Sequence, residues 1–168
     1  YFNWKAWPNF GKTGAEPRLG KYDYVALTPG ESSAIDNTAM TVRAFPLSHG
    51  GVESTAFLFD SDGDAVLCFG DTGPDAVEKT DKMHSAWVAA AVYAKAGKLK
   101  VVIIESSYTS DREDKLLFGH LTPKYVLEGL QDLAAQAGVA DLDGLPVIIS
   151  HIKYQIKSGP LPQETVLK

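Results

Sequence analysis

Ser54-Thr55-Ala56-Phe57-Leu58-Phe59-Asp60, then Ser61-Asp62-Gly63-Asp64, then Ala65-Val66-Leu67-Cys68-Phe69 reads as two apolar strands across a tight turn. Asp and Gly tolerate the positive φ that a two-residue hairpin turn demands, so this stretch predicts a β-hairpin. Upstream, Met40-Thr41-Val42-Arg43-Ala44-Phe45-Pro46-Leu47 predicts a strand running into Ser48-His49-Gly50-Gly51. Residues 11–40 are otherwise punctuated by Gly11, Gly14, Pro17, Gly20, Pro29 and Gly30, with a short strand expected at Tyr22-Asp23-Tyr24-Val25-Ala26-Leu27. Downstream of Gly70-Asp71-Thr72-Gly73-Pro74 the period changes. Val77, Met83, Trp87, Ala91 and Ala94 recur at helical spacing and predict a helix over 76–96. Val101-Val102-Ile103-Ile104-Glu105 is a continuous apolar run, the pattern of a strand covered on both faces. Thr122 and Pro123 open a second helix, Thr122 as cap and Pro123 at the first position, where its missing N–H costs nothing. That helix runs through Val126, Leu127, Leu130, Leu133 and Ala134 to Gly138, and Leu145-Pro146-Val147-Ile148-Ile149 predicts a last strand ending at Ser150-His151. A hairpin followed by α, β, α, β is a layered α/β arrangement.

The 168 residues are one domain's worth of chain. Hydrophobic residues make up 45% and charged residues 22%, enough apolar surface for a sizeable core. A net charge of −5 argues against a general polyanion binder, because phosphate backbones are held by clustered Lys and Arg. No apolar run approaches the ~20 residues of a membrane span. The single cysteine, Cys68, excludes a disulfide within the chain and a zinc knuckle, and reads as a buried thiol. The chain opens on Tyr1 rather than Met, and residues 1–10 carry Tyr1, Phe2, Trp4, Trp7 and Phe10. Aromatics at a terminus predict burial. The opening therefore reads as an internal stretch of a longer chain, with a well-packed aromatic terminus as the competing reading.

Three predicted strands end in residues that metals favour: His49, Asp71 and His151. In layered α/β folds, function collects just past strand ends. Imidazole nitrogens and a carboxylate form a ligand set for Zn²⁺ or a similar ion, assembled by the fold because the three lie far apart in sequence. Each also has a plain structural reading. His49 beside two glycines suits a turn, Asp71 suits a turn or helix cap, and His151 suits a backbone hydrogen bond. His120 precedes a helix start and reads as an outer donor or a first-turn polar residue. His84, inside a helix, reads as structural. Glu105 closes an apolar strand, where a carboxylate is costly unless it faces a pocket or accepts helix N–H bonds.

The words around these residues carry more than their spacing. Phe45-Pro46-Leu47-Ser48-His49-Gly50, Ser54-Thr55-Ala56-Phe57 and Phe69-Gly70-Asp71-Thr72-Gly73-Pro74-Asp75 occur in series. Ile104-Glu105, Lys115-Leu116-Leu117-Phe118-Gly119-His120-Leu121-Thr122-Pro123 and Ile148-Ile149-Ser150-His151-Ile152-Lys153 follow in order. From about Trp7 to Lys153 the chain resembles the class II cyclic-nucleotide phosphodiesterases, built on the metallo-β-lactamase fold.

The resemblance implies an αββα sandwich with two divalent ions, zinc as a rule, at one edge of its sheets. It makes His49, Asp71 and His151 metal ligands, Asp71 bridging the two ions, and places His120 near the phosphate with a part in proton transfer. The implied substrate is a 3′,5′-cyclic nucleotide, cyclic AMP first, hydrolysed to a 5′-monophosphate, with Tyr108 and residues 1–10 as candidate walls for the base. One departure is large. The family's first metal motif, His-x-His-x-Asp-His, is absent, since the four histidines include no pair two positions apart. Residues 1–168 are accordingly expected to be a single domain or the C-terminal half of the sandwich, with one sheet face open. The rest of the site would come from a preceding half, another chain or a second copy. No nucleic acid or membrane partner is expected, and cytoplasm and periplasm stay open. The rival readings are a tRNA 3′-processing endonuclease on the same fold and an inert binding module.

Overall fold

The computed structural model describes Trp4 and residues 7–153. Six strands form one mixed sheet in sequence order: β1 Ser33–Ala34, β2 Met40–His49, β3 Val52–Ser61, β4 Asp64–Phe69, β5 Leu99–Glu105 and β6 Val147–Ser150. Strands β1 to β4 are antiparallel neighbours, while β4, β5 and β6 are parallel. The helices are α1 Asp75–Glu78, α2 Lys82–Lys95 and α3 Pro123–Ala137.

Turn chemistry sets the hairpins. Gly50 and Gly51 at φ 58° and 88° join β2 to β3, and Asp62 and Gly63 at φ 53° and 84° join β3 to β4. Paired positive φ angles match the right-handed twist of the strands, and they fix the register as His49 opposite Val52 and Ser61 opposite Asp64. One face of the sheet buries Phe45, Leu47, Leu58, Leu67, Phe69, Val102 and Ile104 beneath α2, with α3 packed along α2. Trp87 of α2 is 1% exposed and its ring lies 4.5 Å from that of Phe69, so truncation to alanine would cost about 3–5 kcal/mol. The alternate residues Phe57, Phe59, Val66, Cys68, Val101 and Ile103 face the other way and stay half-buried, with Ile148 more than half exposed. The described residues thus form one helical layer on one sheet layer. Cys68 belongs to this second face rather than to the core, and burial pushes its thiol up, away from reactivity.

Four expectations need correction. Residues 22–27 form no strand; Tyr22 makes an isolated bridge with Gly11, and the edge of β2 pairs with β1 instead. The helix expected over 76–96 is two, because Lys79 turns left-handed at φ 59° and the Asp75 carboxylate accepts hydrogen bonds from Thr80 Oγ1 and the Met83 and His84 N–H groups, capping α2 from outside. Thr122 stands at the cap of α3 in extended conformation, yet its hydroxyl makes no cap bond and is buried without a partner among the described residues. Of the opening aromatics, Trp4 and Trp7 are exposed and Phe10 is half-buried, against the competing reading of a well-packed aromatic terminus; Tyr1 and Phe2 lie outside the described residues. No helix among the described residues is long and apolar enough to cross a membrane.

His84 takes the structural role. Its Nδ1 lies 2.6 Å from Asp132 Oδ2, tying α2 to α3. That hydrogen bond, aided by Asp75 and Asp81, raises the imidazole's pKa. A raised folded value stabilises most below the unfolded imidazole pKa of about 6.5 and loses the effect as pH climbs through the folded value. His84→Gln should therefore lower Tm at about pH 6 and leave it unchanged at about pH 9, by at most ~1 kcal/mol for so exposed a pair. Thermal melts at both pH values check this, and a gap independent of pH would refute it.

Candidate active site

Strands β2 and β4 flank β3 antiparallel, so both run the same way as the parallel β5 and β6. Their C-terminal ends consequently lie along one edge of the sheet. There they deliver His49 at the end of β2, Asp71 just past β4, Glu105 at the end of β5 and His151 just past β6. His120 arrives from the loop before α3. That loop crosses the β2–β3 turn so closely that a Cβ on Gly119, at φ 80°, would sit 2.2 Å from the Gly50 nitrogen. Only glycine permits this crossing.

The four predicted site residues come together. The His49 and His120 rings meet edge to face at 4.5 Å, His120 stacks on His151 at 5.1 Å, and His151 Nε2 is 3.4 Å from Asp71 Oδ2. Beneath them Glu105, 1% exposed, is fully engaged. Its Oε1 accepts from the Thr72 N–H at 2.8 Å and from His120 Nδ1 at 2.8 Å, and its Oε2 accepts from Ser107 Oγ at 2.8 Å and the Leu121 N–H at 3.2 Å. Four donors offset the cost of burying the charge. A carboxylate so placed only accepts, so the His120 proton sits on Nδ1 and the Nε2 lone pair points away from Glu105. His49 follows the same logic: Nδ1–H donates to the Gly119 carbonyl at 2.7 Å, leaving Nε2 free. Burial holds the His120 pKa below the ordinary imidazole value, and the Glu105 hydrogen bond opposes that fall.

Asp71, His120 and His151 present ligand atoms within 4.8 Å of one another. His49 and His120 make a similar group with Glu105, but both Glu105 oxygens are already taken. Imidazoles whose second nitrogen is anchored to a carbonyl or carboxylate are the usual form of metal-ligating histidine. The donor set therefore fits a divalent cation.

Comparison with known proteins adds the lineage. A family model described as cAMP phosphodiesterases class-II matches residues 1–168. The chain belongs to this family. The class II family relatives include a 3′,5′-cyclic-nucleotide phosphodiesterase of Aliivibrio fischeri, 49% identical over 169 residues that make up 100% of this chain and 51% of that protein. The structure of unliganded yeast PDE1 superposes with a TM-score of 0.83 at 27% identity, covering 99% of this chain and 47% of that one. The metallo-β-lactamase fold protein YhfI of Bacillus subtilis matches at a TM-score of 0.50 and 14% identity, over 78% of this chain and 43% of that one, a likeness of fold alone. The chain spans about half the length of the curated relatives it matches.

For a class II family member, two supporting residues escape a reading of strand ends. Glu78 of α1 accepts hydrogen bonds at Oε2 from Ser48 Oγ at 2.7 Å and the Gly50 N–H at 3.2 Å, bracketing His49 from both sides. Nothing in the Asp75–Glu78 sequence signals this, because the contact depends on how α1 folds back over Gly73. Lys153 places Nζ 2.6 Å from His120 Nε2; it closes the Ser150-His151-Ile152-Lys153 motif, which is the signal that marks it. Glu78→Ala should weaken metal binding by the full-length protein about tenfold, the effect of losing a supporting hydrogen bond around a ligand. Glu78→Gln, which keeps an acceptor, should lose less. Metal titration compares the two, and an alanine variant with wild-type affinity would show that His49 holds itself.

Proposed function

We propose that this chain is the C-terminal half of a metal-dependent 3′,5′-cyclic-nucleotide phosphodiesterase, with cyclic AMP the first substrate to test. The observation that carries the reading is the convergence of His49, Asp71, His120 and His151 on one sheet edge in a chain of this family. His49, Asp71 and His151 would hold two divalent ions, zinc being suited to imidazole and carboxylate donors, with further ligands from a preceding half of the fold or from a partner copy. Bound ions would supply Lewis acidity at the phosphoryl oxygens and bring the pKa of a water down to about 7.

The chain's own groups do the remainder. Asp71 sets the ligand spacing, being the carboxylate nearest His151. Glu78 and the Gly119 carbonyl hold His49 in place. Glu105 fixes the His120 tautomer so that Nε2 is the atom exchanging protons with the site. As water oxygen bonds to phosphorus and the P–O3′ bond opens, the His120 Nε2 lone pair takes the proton the water gives up and passes it to O3′, giving a 5′-monophosphate. Tyr108, edge-on to His120 at 6.0 Å, borders the space the nucleotide would enter.

The test is cyclic-AMP hydrolysis by the full-length protein before and after chelation. The reading expects activity that chelator abolishes and zinc or manganese restores. Hydrolysis indifferent to chelator, or none in the metal-loaded protein, would overturn it.

A further inference from the structure

We propose that Lys153 and Arg112, brought together on the ring of Tyr108, form an anion clamp that holds the phosphate of the substrate. The proposal deepens the phosphodiesterase reading and rests on it for the identity of the anion. Lys153 Nζ lies 5.3 Å from the Tyr108 ring centroid and the Arg112 guanidinium lies 4.5 Å from it. The Tyr108 ring is itself 6.0 Å from the His120 ring, so both charges border the metal-ligand cluster.

Neither cation has a carboxylate partner among the described residues. Lys153 donates to His120 Nε2 at 2.6 Å, and Arg112 Nε donates to the Leu116 carbonyl at 3.0 Å. Both acceptors are neutral. In a chain of net charge −5 with carboxylates to spare, two half-buried cations on one ring leave positive charge unneutralised beside a cluster that offers metal ligands. The ring quadrupole steadies cations but does not cancel their charge. An anion that contacts both does. A phosphate suits the pair: the ammonium acts as a point charge and the guanidinium as a planar fork to phosphoryl oxygens. The backbone is set for this, because the Lys153 N–H donates to the Ser107 carbonyl at 3.2 Å, fixing the stem against the strand end that carries Glu105.

The plain alternative is that Lys153 only satisfies His120. Lys153→Gln separates the two, since the amide still donates to Nε2 but carries no charge. Calorimetry on chelator-treated full-length protein, with inorganic phosphate, 5′-AMP and adenosine as probes, reads the clamp apart from any metal. Wild type should bind phosphate and 5′-AMP. Lys153→Gln and Arg112→Gln should each weaken both by about ten- to a hundredfold, the size of a lost bond to a charged group, and leave adenosine unchanged. Lys153→Arg should restore the loss. Phosphate binding that is absent in wild type, equal in the Gln variants, or lost in step with adenosine would overturn the clamp. If the clamp behaves as expected while the metal-loaded protein does not hydrolyse cyclic AMP, the phosphodiesterase reading fails and the anion site stands.

Discussion

Glu105→Ala is expected to leave the full-length protein without a cooperative thermal transition. The carboxylate takes hydrogen bonds from the Thr72 and Leu121 N–H groups, Ser107 Oγ and His120 Nδ1, all at a buried strand end. Truncation strands four donors, each costing about 1–3 kcal/mol when buried without a partner. The total is a large share of the ~5–15 kcal/mol that holds a typical domain together. Glu105→Gln keeps the shape and one acceptor oxygen but turns an amide NH2 toward groups that are themselves donors. It should fold with a lower Tm and lose about a hundredfold in turnover, because nothing then fixes the proton of His120 on Nδ1. Thermal melts and cyclic-AMP hydrolysis measure both effects. A Gln variant with wild-type turnover would show that the carboxylate is only structural.

Asp71→Ala is expected to behave in the opposite way: stability almost unchanged, metal and turnover lost. The Asp71 side chain is 41% exposed and reaches His151 Nε2 at 3.4 Å, so little packing goes with it. A surface change of this kind stays within about 0.5 kcal/mol. Loss of residues that merely support a ligand costs about 10–100-fold in affinity or activity, and a ligand itself should cost at least that. Metal content by mass spectrometry, kcat and a melt on the same preparation separate the two effects. Near-normal turnover would return Asp71 to the role of a turn cap.

The fold was legible where local chemistry and the global pattern agree. Asp62-Gly63 and Gly50-Gly51 dictate tight turns on their own, and the apolar run at 101–105 has no alternative to a buried strand. Legibility failed where partner choice decides. Residues 22–27 have strand-forming composition, but the edge of β2 is given to Ser33–Ala34. The helix break at Lys79 depends on Asp75 capturing N–H groups eight and nine residues on, which no periodicity records. At the site, His49, Asp71 and His151 were visible because strands running the same way end in them. Glu105 announced itself by its cost, and the structure answers with four donors. Glu78 was invisible, since its role comes from a fold-back over Gly73, and the pairing of Lys153 with Arg112 across Tyr108 is likewise a product of tertiary contact.

We propose that one sheet edge gathers these groups to hold metal. A crystal structure of the full-length protein grown with zinc, with anomalous data collected at the zinc edge, tests it most directly. Peaks are expected at about 2.0–2.2 Å from the Asp71 carboxylate and the His151 and His49 imidazoles. Zinc bound elsewhere, with Asp71, His151 and His49 touching no ion, would contradict it.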